Sequence, residues 1–219
     1  MNPTSSAAEV VPLLVVVVAI GLLPFVAMMV TSYTKIVVVL GLLRNALGVQ
    51  QVPPNMVLNG IAIIVSVYIM APIGMDTFDR IKSDGLAPTT GAQMAQLMGA
   101  AQDPVRAFLA KHAQPREKAF FLKSASQVWP AERAKALQAD DLIVLAPAFT
   151  LSELTSAFRV GFLIYLAFVV VDLIIANVLL ALGLSQVTPT QVAIPFKLLL
   201  FVVMDGWSTL LHGIVLGYR

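Results

Sequence analysis

Three charged residues stand inside segments that are otherwise almost wholly apolar. Lys197 and Asp205 interrupt VAIPFKLLLFVVMDGWSTLLHGIVLGYR (Val192–Arg219), and Asp172 interrupts VGFLIYLAFVVVDLIIANVLLALG (Val160–Gly183). A charge at bilayer depth costs about 2.5–3.5 kcal/mol on insertion scales. Such residues persist where they face protein or a watery path, and seldom where they face lipid. The sequence therefore predicts helices that sit within an assembly, with the charges buried there.

Composition agrees with a membrane chain. Of the 219 residues, 58% are hydrophobic and 12% charged, with a mean hydropathy of +0.88. A soluble domain is about 45–50% apolar and about a quarter charged. The net charge of +2 and the lack of a basic tract argue against a nucleic-acid partner. The chain has no cysteine, which removes disulfides, thiolate metal sites and a cysteine nucleophile. The first basic residue is Lys35, and Glu9 precedes the apolar run, so Val10–Thr34 reads as a retained membrane helix, bent near Pro24, rather than a secretory signal.

The pattern predicts an all-α protein with four long apolar helices and a small helical domain between the second and third. Residues 1–75 read as an N-terminal apolar hairpin, 76–159 as a soluble helical domain, and 160–219 as a C-terminal apolar hairpin. The apolar helices are Val10–Tyr33, Met56–Ile73, Val160–Gly183 and Val192–Gly217. Asn55, after Pro53–Pro54, is a plausible N-cap for the second.

In the polar block, Met94, Leu97, Met98, Ala101, Val105 and Phe108 recur at helical spacing. Asp103–Pro104 predicts a helix start within that stripe, and Pro115 and Pro130 predict two more. Phe120, Phe121, Ala125, Val128 and Trp129 are the expected buried residues of this region. Asp140 and Asp141 read as a solvated turn or helix cap. Thr150 and Glu153 match a capping box, which predicts a helix from near Leu151. Run unbroken to Leu182, it spans roughly 48 Å, against about 30 Å for a bilayer core. Lys35 and Arg44, with no acid nearby in sequence, place their segment on the cytoplasmic side and the 76–159 domain opposite.

No enzyme motif is present. His112, read as a surface residue, and His212, read as a packing residue, have no metal-ligand spacing, and no GxSxG, HExxH or Walker loop occurs. If Val160–Gly217 folds as a hairpin turning near Leu184–Gln186, Asp172 and Lys197 lie at similar depth and can pair. Asp205 follows Lys197 by two turns on the same face, roughly 12 Å along an unbroken axis, and so needs another partner. The uncharged linker LGLSQVTPTQV (Leu182–Val192) has Gly183 at a C-cap position and Pro189 at a restart. It reads either as an ordinary hairpin turn or as a pore constriction.

Four segments together resemble the FliP/SctR family of type III secretion export-apparatus subunits: LLRNALGVQQVPPN (Leu42–Asn55), APAFTLSELTSAFRVGFLIY (Ala146–Tyr165), VVDLIIANVLLALG (Val170–Gly183) and IPFKLLLFVVMDGW (Ile194–Trp207). The GVQQVPPN form and the absence of a signal peptide are more similar to the injectisome branch (SctR, YscR, HrcR). The resemblance implies five copies of the chain joining FliQ/SctS-family and FliR/SctT-family subunits in a helical funnel at the bacterial inner membrane, with the soluble domain on the periplasmic side. It implies a portal for unfolded substrate proteins, with no catalysis and no cofactor. It places the constriction at Leu184, Ser185, Gln186 and Val187, within a gating loop 184–189. Flagellar members carry successive methionines there; this chain has Ser185 and Gln186 and lacks that flexible apolar seal. Two other readings remain at this stage: an ion or small-molecule channel or transporter using Asp172, Lys197 and Asp205, and a scaffold acting through the polar domain.

Overall fold

The computed structural model describes residues 24–83 and 91–219, with isolated positions from 14 to 22. The expected helix Val10–Tyr33 lies largely outside the described residues; its described part is helical at 24–29 and bends at 30–32. Every element from there on is an α-helix: α1 (Tyr33–Leu47), α2 (Asn55–Ser83), α3 (Gly91–His112), α4 (Pro115–Val128), α5 (Ala131–Ala136), α6 (Leu142–Ala181), α7 (Pro189–Val203) and α8 (Gly206–Leu216).

Helices α1 and α6 pack against each other at the centre of the fold. In α1, Ile36, Val39, Leu40, Leu43, Ala46 and Leu47 are buried at three- and four-residue spacing. Each aliphatic side chain so enclosed contributes about 1.5–3 kcal/mol. The upper part packs on Leu58 and Ala62 of α2, Ala157 of α6 and Ile214 of α8. The lower part packs on Phe168 of α6 and Phe201 of α7. Gly161 permits the close crossing of α1 and α6, since a Cβ there would fall 2.2 Å from a Leu42 methyl. Gly48, with φ +77°, ends α1 in the left-handed conformation.

Helix α2 extends well past the expected Ile73. Asn55 is not its cap: the Pro54 carbonyl receives the N–H groups of Val57 and Leu58. The Asn55 side chain accepts instead from Arg44 Nη1 at 2.6 Å, and the same nitrogen reaches the Pro53 carbonyl at 3.2 Å. The buried Ser32 hydroxyl, 3.1 Å from that of Ser66, joins the start of α1 to α2.

Helix α3 runs through Pro104 as one element, where a break was expected. An internal proline costs about 3 kcal/mol. Phe108 and Leu109, packed on Leu145, Ala148 and Phe149 of α6, hold the turns that follow. The side chains of Met94, Leu97, Met98 and Ala101 lie outside the described residues. Pro115 opens α4 and Pro130 sits at the cap of α5, as their positions predict. Of the expected core here, Ala125 is buried and Phe121 and Trp129 are partly so, but Phe120 and Val128 are exposed. Only one face of α4 meets α6, and it cannot enclose residues on both sides.

Helix α6 has 40 residues, about 60 Å at 1.5 Å per residue. It starts nine residues before the expected Leu151, with Asp141 at the N-cap. The capping box does not form, because Thr150 is mid-helix and its hydroxyl donates back to the Ala146 carbonyl at 2.9 Å. The helix passes through residues 159–160 without interruption.

The last apolar segment, expected as one helix, breaks between α7 and α8 with a bend of 60°. Asp205 adopts φ 49°, ψ 48°, a left-handed conformation that stops α7. Gly206 follows against the Phe201 ring, where a Cβ would fall at 2.2 Å. Among the described residues, two helices, α2 and α6, are long and apolar enough to cross a membrane, and a third if α7 and α8 count as one bent span.

Candidate functional site

The loop between α6 and α7 is built by the chemistry of a helix end. Gly183 takes φ +72°, and the Leu184 N–H reaches back to the Leu179 carbonyl at 2.9 Å, with Gly183 N–H on Leu180. This is the geometry of a glycine-terminated helix. The Val187 N–H closes a turn on the Leu184 carbonyl at 3.2 Å. Leu184, Ser185, Gln186 and Val187 are all exposed. The chain restarts with Thr188 at the cap and Pro189 at the first helical position.

Behind the loop, the two arms are tied by charge. Lys197 Nζ lies 2.6 Å from Asp172 Oδ2 and donates to the Ala46 carbonyl at 3.1 Å. The Lys197 side chain is 5% exposed and that of Asp172 40%. Asp172 Oδ1 is buried and meets no donor among the described residues. The third charge behaves differently. Asp205 is exposed in the chain by itself and stands at the break between α7 and α8, whereas Lys197 is buried within α7.

Sequence reasoning missed a second charged cluster. Glu153 of α6 is 4% exposed. Lys35 Nζ of α1 lies 3.7 Å from its Oε1, and the Tyr218 hydroxyl, just past α8, donates to its Oε2. Lys35 Nζ also stands 4.6 Å above the Tyr218 ring. The other face of that cluster is aromatic: Phe108 stacks on Tyr218 at 6.1 Å and His112 meets it edge-on at 5.1 Å. Lys35, with no acid nearby in sequence, thus meets Glu153 of α6 in the fold, and His112 is half-buried rather than on the surface. Burial, then Lys111, then Lys35 hold the His112 pKa below its usual value. The sequence carried a weak signal for this cluster in two lone charges among apolar residues; Tyr218 carried none.

His212 is exposed, and among the described residues no group of histidine and carboxylate side chains is arranged to hold a metal ion. The fold and its contacts define a class: an all-helical membrane-type protein whose helices pack through apolar clusters and carry two ion pairs between them. Residues 16–214 match the FliP family. The chain is 68% identical over 213 residues to the hypersensitivity response secretion protein HrcR of Ralstonia nicotianae, covering 96% of this chain and 98% of the relative. It is 48% identical over 206 residues to the Yop proteins translocation protein R of Yersinia pestis, with 94% and 95% covered. It is 40% identical over 201 residues to the virulence protein YscR of Salmonella typhimurium, with 91% and 92% covered. The chain belongs to the FliP family of type III secretion proteins, in which injectisome-type members are among its relatives. It is a secretion-apparatus subunit and not an enzyme.

Proposed function

We propose that this chain is a core subunit of the type III export gate and forms the portal through which unfolded substrate proteins cross the inner membrane. Five copies join FliQ/SctS-family and FliR/SctT-family subunits in a helical funnel built on four apolar helices per chain. Residues 1–75 form the N-terminal hairpin, 76–159 a helical domain on the periplasmic side, and 160–219 the hairpin that carries the gating loop 184–189. Leu184, Ser185, Gln186 and Val187 line the constriction. Asp172, Lys197 and Asp205 serve assembly, with Asp205 meeting a neighbouring subunit.

One observation supports this reading most directly. An uncharged, exposed loop joins the two arms of a hairpin tied by the Lys197–Asp172 pair. A rigid stalk under a short loop presents that loop reproducibly, and a ring of copies would bring such loops together. Without flexible methionines, Ser185 and Gln186 must seal through loop geometry, with Leu184 and Val187 as the apolar contacts.

Secretion tests the proposal. The chain has no cysteine, so a cysteine introduced at Ser185 is a unique handle for cross-linking. Cross-linked Ser185→Cys, or Gln186→Trp, should block substrate export while the assembled complex is recovered in parental yield. Normal secretion from an assembled complex with cross-linked loops would end the reading.

A further inference from the structure

We infer that Tyr218 is a positioning residue that latches the α7–α8 arm to the α3–α5 helical block through the buried Lys35–Glu153 pair. Its side chain touches three elements that are remote in sequence. The hydroxyl donates to Glu153 of α6. Lys35 of α1 stands over one face of the ring. Phe108 and His112 of α3 pack against it.

The far end of α8 is a joint rather than a brace. Asp205, left-handed between α7 and α8, sets the 60° bend and makes no side-chain cap on α8. The arm therefore has a break at Asp205 and a fastening at Tyr218. Releasing the fastening leaves α8 held by the apolar packing of Ile214, Trp207, Leu210 and Leu211 on α1, so it loosens α8, and the block that shares the Tyr218 ring, without detaching either.

The fastening also has access to water. A cavity of about 350 Å³ borders Tyr218 and His112 and is lined by Asp76, Arg80, Asp103 and Lys111. The titratable groups around the latch thus carry both signs, Lys35, Lys111 and Arg80 against Glu153, Asp76 and Asp103, with His112 beside them. If the Tyr218 hydroxyl leaves, Glu153 keeps Lys35, at 3.7 Å, as its side-chain partner among the described residues. A buried carboxylate oxygen left without a donor is strongly disfavoured, so the closed latch is the preferred state. The bearing of the latch on export rests on the portal reading above; the latch itself does not.

Hydrogen exchange on the full purified chain tests it. Tyr218→Phe keeps the ring and its stacking and deletes only the hydroxyl. Exchange should speed up by about tenfold both across Gly206–Leu216 and at the His112 end of α3, the size expected for one lost bond to a carboxylate. A change below about twofold in either segment overturns the latch, since α8 and α3 would then not be coupled through Tyr218. Glu153→Gln should act on the same two segments. The double variant should add little to the more affected single one, and additive effects would show that the two residues do not share one contact. Should exchange respond as expected while cross-linked loops still secrete, the portal reading falls and the latch stands.

Discussion

The first half of α6 buries Val144, Leu145, Ala148, Phe149, Ser152, Glu153, Ala157 and Gly161 against α1, α3 and α4. Its second half is the more apolar of the two, with only Tyr165, Asp172 and Asn177 as polar residues, yet only Phe168 and Leu179 are buried there, and Phe162, Leu163, Val170, Leu173 and Ile174 stand exposed. The same residue types thus serve two purposes along one continuous helix. In the first half the partners belong to the same chain. In the second half α7 covers one side, and an apolar face of that extent on the remainder is a surface for lipid or other subunits. The two charged sites follow the same division: Glu153 is enclosed by this chain alone, whereas Asp172 is part-exposed and has one oxygen with no donor among the described residues.

Paired substitutions on the two halves probe this difference most strongly. Phe149→Ala should lower the stability of the purified chain by about 3–5 kcal/mol, because it empties a closed core site. Phe162→Ala should leave that stability within about 0.5 kcal/mol, as an exposed position does, while reducing the yield of the complex. Denaturation in detergent and native mass spectrometry separate the two outcomes. Equal losses of stability would show that the second half is packed within the chain after all.

The ion pair gives an asymmetric test of similar size. Asp172→Ala strands the enclosed Lys197 ammonium and should cost about 3 kcal/mol, near the lower end for a broken buried pair. Lys197→Ala leaves a part-exposed carboxylate that water can reach, so its cost should be nearer 1 kcal/mol once screening is allowed for. Both should reduce complex yield, and parental yield from both would refute the role in assembly. Gly161→Ala comes next. It drives a methyl into Leu42 at the α1–α6 crossing and should cost about 1–3 kcal/mol, read as a shift of the melting midpoint.

The smallest expected effect is that of pH on His112. Its folded pKa lies below the ordinary 6.5, so between the two values the unfolded chain binds more protons. Stability therefore falls as pH drops through that window and is unaffected above it. His112→Gln should flatten this part of the melting-temperature profile. An unchanged profile would show that His112 does not titrate in contact with the Tyr218 cluster.

Several elements could be read directly from residue order, each for a local reason. The end of α6 at Gly183 and the start of α7 at Pro189 follow from backbone rules for glycine and proline, which need no distant partner. The starts of α4 and α5 follow from proline in the same way. The capping box at Thr150 misled because a local motif gives way where packing rewards a longer helix: Leu145, Ala148 and Phe149 are buried in the turns the motif would have excluded. Asn55 misled for a related reason, since Arg44 took the side chain that would have capped α2.

Hydropathy and spacing alone were enough to establish an all-helical membrane-type chain, and a supposed hairpin turning near Leu184 allowed Asp172 and Lys197 to pair, which the folded chain shows. Those follow from the period of the helix and the cost of an unpaired charge in an apolar segment. Which acid neutralises Lys35, where the last helix breaks, and that Tyr218 joins three elements were settled only by the folded chain. The first and third depend on side chains separated by more than sixty residues, farther than any local rule of sequence reaches; the second turns on the left-handed backbone at Asp205 and the fit of Gly206 against the Phe201 ring, a steric detail that hydropathy and spacing do not carry.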